Sequence, residues 1–192
     1  MERELILTGV GGQGVQLAAQ ILARAAVLEG RHVMLLGTYG GSMRGGNTDS
    51  TLVVADAPIA TPPIVSRAWS AIAMHHHSWA QVRAKLRPGS VVVVNHPVFA
   101  GELDPARHRV FEVPAAEIAA RLGQPLAAAM VLIGAHARIT GLVGIDSLVA
   151  GMCESVPPYR RQHVEANEKA LRAGFAHAAP GAAPAWDAPE AA

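Results

Sequence analysis

The sequence has 192 residues, a formal net charge of +1, and an apolar fraction of 51% with only 4% aromatic residues. That length predicts one domain with a sizeable core, and a near-neutral chain with no run of four Lys or Arg gives no electrostatic reason to expect nucleic acid or an anionic membrane as partner. No apolar stretch reaches the about 18 uninterrupted residues of a membrane span, and a single cysteine, Cys153, excludes an internal disulfide and a self-sufficient iron–sulfur site.

Met1-Glu2-Arg3-Glu4 lacks the basic-then-apolar layout of a signal peptide, so a cytoplasmic location is expected. Leu5-Ile6-Leu7-Thr8 reads as a short buried strand running into Gly9-Val10-Gly11-Gly12-Gln13-Gly14. Residues 15–29 place Leu17, Ala18, Ile21, Leu22, Ala25 and Leu28 at helical spacing, and Gly30 stops the helix. Residues 32–36 predict a second strand, completing a β-loop-α-β unit. A second glycine-rich loop spans residues 37–46, followed by a strand over 47–54 and a turn punctuated by Pro58, Pro62 and Pro63. Residues 70–74 read as another core strand and 79–86 as a helix. Pro88-Gly89 then turns the chain into Val91-Val92-Val93-Val94-Asn95. A strand over 109–113 precedes a helix with Pro114 in its first turn, and the pattern is helical over 127–139, 145–154 and 162–177. This alternation predicts an α/β fold: a Rossmann-like, doubly wound, mostly parallel sheet with helices on both faces and a helical C-terminal part. The domain is expected to cover residues 1–177, with 178–192, nearly all Ala, Pro and Gly, as a disordered tail.

Gly9, Gly11 and Gly14 match the G-x-G-x-x-G spacing between a strand and a helix, where glycines let the backbone approach an anion and the helix N-terminus directs free amides at it. A dinucleotide-binding site also needs an acidic residue at the end of the second strand, but that strand runs Leu35-Leu36-Gly37-Thr38-Tyr39. Three readings stand: a free-standing NAD- or FAD-binding reductase, a tight turn that uses glycine only for packing, and a cofactor or anion edge at a subunit interface. The second loop, Tyr39-Gly40-Gly41-Ser42-Met43-Arg44-Gly45-Gly46, opens on the same sheet edge as the first. There Arg44 offers a bidentate fork to a phosphate or carboxylate, or to an interface salt bridge.

The two loops in this order resemble the gamma subunit of the 2-oxoacid:ferredoxin (acceptor) oxidoreductases, enzymes acting on pyruvate, 2-oxoglutarate, ketoisovalerate, indolepyruvate or phenylglyoxylate. The likeness extends through Met130-Val131-Leu132-Ile133-Gly134-Ala135 to Val164-Glu165-Ala166-Asn167-Glu168-Lys169-Ala170-Leu171. It implies a non-catalytic subunit, inactive alone, in a complex that oxidatively decarboxylates a 2-oxoacid to an acyl-CoA and CO2 while reducing ferredoxin or NAD. Thiamine diphosphate, Mg2+ and the iron–sulfur clusters would reside on partners, namely thiamine-binding alpha and beta subunits and an iron–sulfur subunit or domain. This chain would lie beside the thiamine and coenzyme A site. On the resemblance, the cofactor-binding residues are Gly11, Gly12, Gln13, Gly14, Tyr39, Gly40, Arg44, Gly45 and Gly46, with no catalytic or metal-binding residue. The sequence departs from the family pattern at Ser42 and Met43, and at Ala128 or Ala129, where the family commonly has asparagine.

His75-His76-His77 follows a predicted strand, but adjacent residues on an extended segment alternate sides and do not converge on one metal, so a polar loop lining an interface is expected. His96, at another strand end, reads the same way. Asp49 reads as a structural charge and Cys153 as a small buried hydrophobe.

Overall fold

The computed structural model describes residues 1–39, 46–60, 62 and 64–186, apart from the side chains of Thr38 and Tyr39. Six strands form one mixed sheet: β1 (Glu2–Val10), β2 (His32–Tyr39), β3 (Asn47–Ala55), β4 (Ala68–Ala73), β5 (Leu86–Asn95) and β6 (Arg109–Val113). Their order is β2-β3-β1-β4-β5-β6. β1, β4, β5 and β6 run parallel, whereas β3 lies antiparallel between β1 and β2. The β1–α1–β2 crossover therefore skips one strand, and the returning β3 fills the gap. Both β1 and β2 still end at the same sheet edge, so the two glycine loops open side by side.

Helix α1 (Val15–Leu28) buries Ala18, Ile21, Leu22 and Ala25 against the sheet. It ends in a Schellman turn: Gly30 has φ 74°, its N–H donates to the Val27 carbonyl, and the Arg31 N–H donates to that of Ala26. α3 (Ala115–Arg121), α4 (Ala128–Thr140), α5 (Ile145–Ser155) and α6 (Val164–His177) cover the same sheet face. The short α2 (Trp79–Arg83) covers the other, with Ile6, Ala71, Ala73, Val92, Val94 and Phe99. Helices thus lie on both faces, as the alternation predicted, but very unequally. The helix expected over 79–86 ends at Arg83. The chain then enters β5 at once, and Pro88-Gly89 bulges out of the strand where pairing jumps from Ala68–Leu86 to Ser70–Val91.

α4 is the buried centre of the helical layer. Its close partner is α6: a Cβ on Gly134 would collide with the Leu171 carbonyl, and one on Gly174 with the Val131 carbonyl. The two backbones touch at reciprocal glycines. His136, halfway along α4, is fully buried, edge-on to Trp69 and 3.0 Å from Ser70 Oγ through Nε2. Ser70 donates its only hydroxyl proton to the Val91 carbonyl at 2.9 Å, so His136 Nε2 carries the proton and Nδ1 is left without a partner. Burial pushes its pKa down to about 3.

The chain past the expected boundary at 177 also packs on the domain. Residues 178–186 run back along the C-terminal end of α4, where the N–H groups of Gly181, Ala183 and Ala185 donate to the carbonyls of Arg138, Ile139 and Thr140. Trp186 Nε1 donates to the Leu142 carbonyl at 3.1 Å, and the Arg31 guanidinium lies 3.9 Å from its ring centroid. The last carbonyls of any helix lack intrahelical partners, and here the Ala/Pro segment supplies them. Residues 187–192 lie outside the described residues. The structure also corrects the reading of Cys153, which is exposed on α5.

Gly174→Val is expected to lower unfolding free energy by about 1–3 kcal/mol or more through overpacking at the α4–α6 contact, read as the urea midpoint. A pH dependence follows from His136. Its folded pKa is depressed, so the stability it allows is present above about 6.5 and is lost as pH falls toward about 3. The slope is up to about 1.4 kcal/mol per pH unit. The pKa values of His75 and His108 are also lowered, chiefly by burial, and act in the same direction. Urea midpoints measured from pH 7 to 5 should fall in the parent and fall less steeply in His136→Phe. Equal slopes would show that the ring titrates normally.

Candidate functional site

The first glycine loop is held by short bonds that involve little side chain. The Gln13 N–H donates to the Val10 carbonyl at 3.2 Å, and the Val10 N–H donates to Gln13 Oε1 at 3.0 Å. The Gly11 N–H donates to the Gly46 carbonyl at 3.0 Å, tying the first loop to the end of the second. Gly12 and Gly14 have φ 98° and 79°, and Gly14 is the N-cap of α1, which has no side-chain cap. Gly9 is required by packing: a Cβ there would lie 2.7 Å from Gln13 Oε1, 2.9 Å from Val15 Cγ2 and 3.2 Å from Met74 Cβ. At Gly12 a Cβ would meet nothing within 4 Å, so the backbone there faces open space.

β2 and its connecting helix lie to one side of β1, while β4, β5 and β6 lie to the other. The strand order reverses between β1 and β4, the place where open α/β sheets bind ligands beyond their C-terminal strand ends. A pocket of about 200 Å³ lies there, lined by Gly12 and Gln13 after β1, Met74 after β4, Asn95 ending β5, Leu126 in the turn before α4 and Ala129 at the start of α4. Gly14 sits above Ala129, close enough that a Cβ on the glycine would lie 3.6 Å from the Ala129 methyl. Ala128 and Ala129, where the sequence departs from the family asparagine, are both on the pocket wall.

Of the nine residues expected to bind cofactor, the structure brings Gly11, Gly12, Gln13, Gly14 and Gly46 together around this loop, with Gly12 and Gln13 reaching the pocket. Tyr39 ends β2 at the same sheet edge. Its side chain, and Gly40, Arg44 and Gly45, lie outside the described residues, as do Ser42 and Met43. Sequence reasoning missed Asn95. It is 4% exposed, and its Oδ1 accepts from the Ala116 N–H of α3 at 3.0 Å. The available signal was an amide closing a run of four valines, a polar residue at a strand's C-terminal end.

The other candidates lie around this edge but not in the pocket. His75 and His76 stack with ring centroids 4.3 Å apart, His76 Nδ1 accepts from the Ala100 N–H, and His75 Nδ1 accepts from the His77 N–H. His96 Nδ1 is 3.5 Å from a Glu112 carboxylate oxygen. No group of three or more His, Cys, Asp or Glu among the described residues could hold a metal. Asp49 stands opposite Thr8 in the β1–β3 pairing, and Asn47 Nδ2 donates to its Oδ2 at 2.7 Å. Asp49 Oδ1 and Thr8 Oγ1 are buried without partners.

Residues 4–177 match the family model described as pyruvate ferredoxin/flavodoxin oxidoreductase. The chain is 32% identical over 181 residues to the 2-oxoglutarate synthase subunit KorC of Methanothermobacter thermautotrophicus, covering 91% of this chain and 94% of that one. The keto/oxoacid ferredoxin oxidoreductase gamma subunit of Geobacter sulfurreducens superposes with a TM-score of 0.76 at 26% identity, over 92% of this chain and 98% of that one. The fold also recurs, with a TM-score of 0.80 at 18% identity, in 30% of a chain of the Magnetococcus marinus 2-oxoglutarate:ferredoxin oxidoreductase, a structure with 2-oxoglutarate, coenzyme A and succinyl-CoA bound. The chain belongs to the pyruvate ferredoxin/flavodoxin oxidoreductase family and corresponds to its gamma subunit.

The two loop glycines differ in what a methyl group would do. Gly9→Ala is expected to push Gln13 away and open the Val10–Gln13 bond, whereas Gly12→Ala leaves the bond intact at a backbone cost of about 1–2 kcal/mol. Hydrogen exchange at the Val10 amide distinguishes them, with protection lost in the first variant and kept in the second.

Proposed function

We propose that the chain is a non-catalytic gamma subunit of a thiamine diphosphate-dependent 2-oxoacid:acceptor oxidoreductase, packing through the C-terminal edge of its sheet beside the thiamine and coenzyme A site. In this reading the complex converts a 2-oxoacid and coenzyme A into an acyl-CoA and CO2 and passes two electrons to ferredoxin or NAD. The observation that carries it is the pocket at the strand-order reversal, walled by the first glycine loop of a gamma-type fold, with no charged side chain among the described residues that line it. Those residues can hold or position part of a ligand, but they offer no acid, base or nucleophile.

The hard chemistry of decarboxylation is supplied by the thiamine ring as electron sink, and electron transfer by the clusters. A four-thiolate cluster cannot be built from Cys153 alone. This reading puts the clusters, and the thiamine diphosphate with its Mg2+, on the alpha, beta and iron–sulfur components. Gly11, Gly12, Gln13 and Gly14, with Tyr39, Gly40, Arg44, Gly45 and Gly46 of the neighbouring loop, are its proposed contribution to the composite site. The dinucleotide alternative is weakened by the topology. A ribose-binding acid belongs at the end of the strand next to β1, yet that neighbour is the antiparallel β3, and β2, one strand further out, ends without an acid.

The chain purified alone should be colourless and turn over neither pyruvate nor 2-oxoglutarate with a dye acceptor, and activity should appear when the thiamine- and cluster-bearing chains are added. A brown chain, or turnover by the chain alone, would sink the subunit reading.

A further inference from the structure

At the opposite end of the sheet, where β5 and β6 begin, a cavity of about 290 Å³ opens between α2 and the segment leading into β6. Its polar lining comes from Arg83 on α2 and from Glu102, Asp104, Arg107 and His108. The segment is fastened at several points. Asp104 closes a turn, its Oδ1 accepting from the Arg107 N–H at 3.1 Å and its carbonyl from the His108 N–H at 2.9 Å. The Arg107 carbonyl accepts from Gly89, in the bulge of β5, at 2.8 Å, and the Glu102 carbonyl accepts from Trp79 Nε1 at 2.7 Å.

His108 is 7% exposed, and its Nδ1 is buried without a partner. A hydrogen bond to the Arg87 backbone favours a proton on the ring. Because Nδ1 takes no part in it, that proton sits on Nε2 and is donated to the Arg87 carbonyl. Burial, with Arg107 and Arg83 close by, favours the neutral ring against the opposing pull of Asp104. Nδ1 is therefore a bare acceptor, costly to bury unless a donor reaches it. The charges around it narrow the class of donor. Arg83 Nη1 is already paired with Glu102 Oε2 at 2.6 Å, whereas Arg107 has no ion-pair partner among the described residues. A guanidinium fork takes anionic oxygens, and Nδ1 takes a hydroxyl. A small oxyanion that retains one acidic hydroxyl meets both demands; a cationic donor would lie against Arg107.

We propose that this cavity is a second binding site, for hydrogen phosphate or the phosphate group of a small phosphomonoester, with the Arg107 guanidinium holding anionic oxygens and the phosphate hydroxyl donating to His108 Nδ1. A volume of about 290 Å³ is close to the about 300 Å³ at which pockets for small ligands begin, room for one phosphate and a short substituent. The site lies at the far end of β5 from Asn95 and the glycine loops, and it does not depend on the subunit reading.

Sulfate is the discriminating control, since it offers the same anionic oxygens without a hydroxyl. The full-length chain, labelled with ¹⁵N, is titrated with sodium phosphate, glycerol 3-phosphate and sodium sulfate at about pH 6.5, near the second pKa of a phosphate ester, about 6. The His108 Nδ1 resonance should shift saturably with at least one of the two phosphates, and sulfate should bind at least about tenfold more weakly. Whichever phosphate binds more tightly identifies the source, free ion or ester. His108→Gln keeps an amide donor for the Arg87 carbonyl and places no acceptor at Nδ1, so it should bring phosphate down to the affinity of sulfate with an unchanged melting temperature. Arg107→Gln, at an exposed position, should weaken both anions about tenfold. If His108→Gln fails to fold, the phosphate-to-sulfate ratio of the parent and the loss in Arg107→Gln still decide. Three results would overturn the proposal: no saturable response of Nδ1 to either phosphate, equal affinity of the parent for phosphate and sulfate, or an unchanged ratio in folded His108→Gln.

Discussion

The contact on which the rest of the structure depends is the backbone-to-backbone packing of α4 and α6 at Gly134 and Gly174. It sets α4 in the middle of the helical layer, where its buried face meets the sheet through His136 and Ser70. Both ends of α4 then acquire roles. Its N-terminus, led by Ala128 and Ala129, becomes a wall of the pocket beneath the first glycine loop. Its C-terminal carbonyls are taken up by the segment that follows α6. A shift of α4 by one side-chain layer would close the pocket and strand those carbonyls.

Around the pocket, glycine serves two separate ends. At Gly9 the demand is space, since Gln13, Val15 and Met74 crowd the position; at Gly12 it is conformation, with open space beyond. Gln13 links the two demands. Its side-chain oxygen closes the loop on Val10, and the same bond turns its NH2 group away as a donor. Asn95 repeats the device on the opposite wall, capping α3 with its oxygen. In both, one side-chain amide oxygen holds a backbone N–H at the pocket wall.

Much of the fold was legible in the sequence because its signals are local. Val91–Val94 is apolar on both faces and could only be a buried strand; the spacing from Val15 to Leu28 sets an amphipathic helix; Gly30 stops it because residues with a side chain seldom adopt positive φ. The paired glycine loops, in order, were enough for the family resemblance. The sequence also determined that one cysteine cannot hold a cluster, a matter of ligand count that folding cannot change.

What only the tertiary structure decided was everything that depends on partners distant in the chain. Strand order is such a case: nothing local in residues 47–54 says that the strand inserts between β1 and β2, because the pairing depends on hydrogen bonds to residues some forty positions away. The ordered path of residues 178–186 is another. Ala and Pro carry no periodic pattern, and their order comes from vacant carbonyls on α4 and the surface offered by Arg31 and Leu142. Asn95 is the clearest. In sequence it is one polar residue after four valines. Its oxygen finds a partner only because folding brings the N–H of Ala116, twenty-one residues on, within hydrogen-bonding distance.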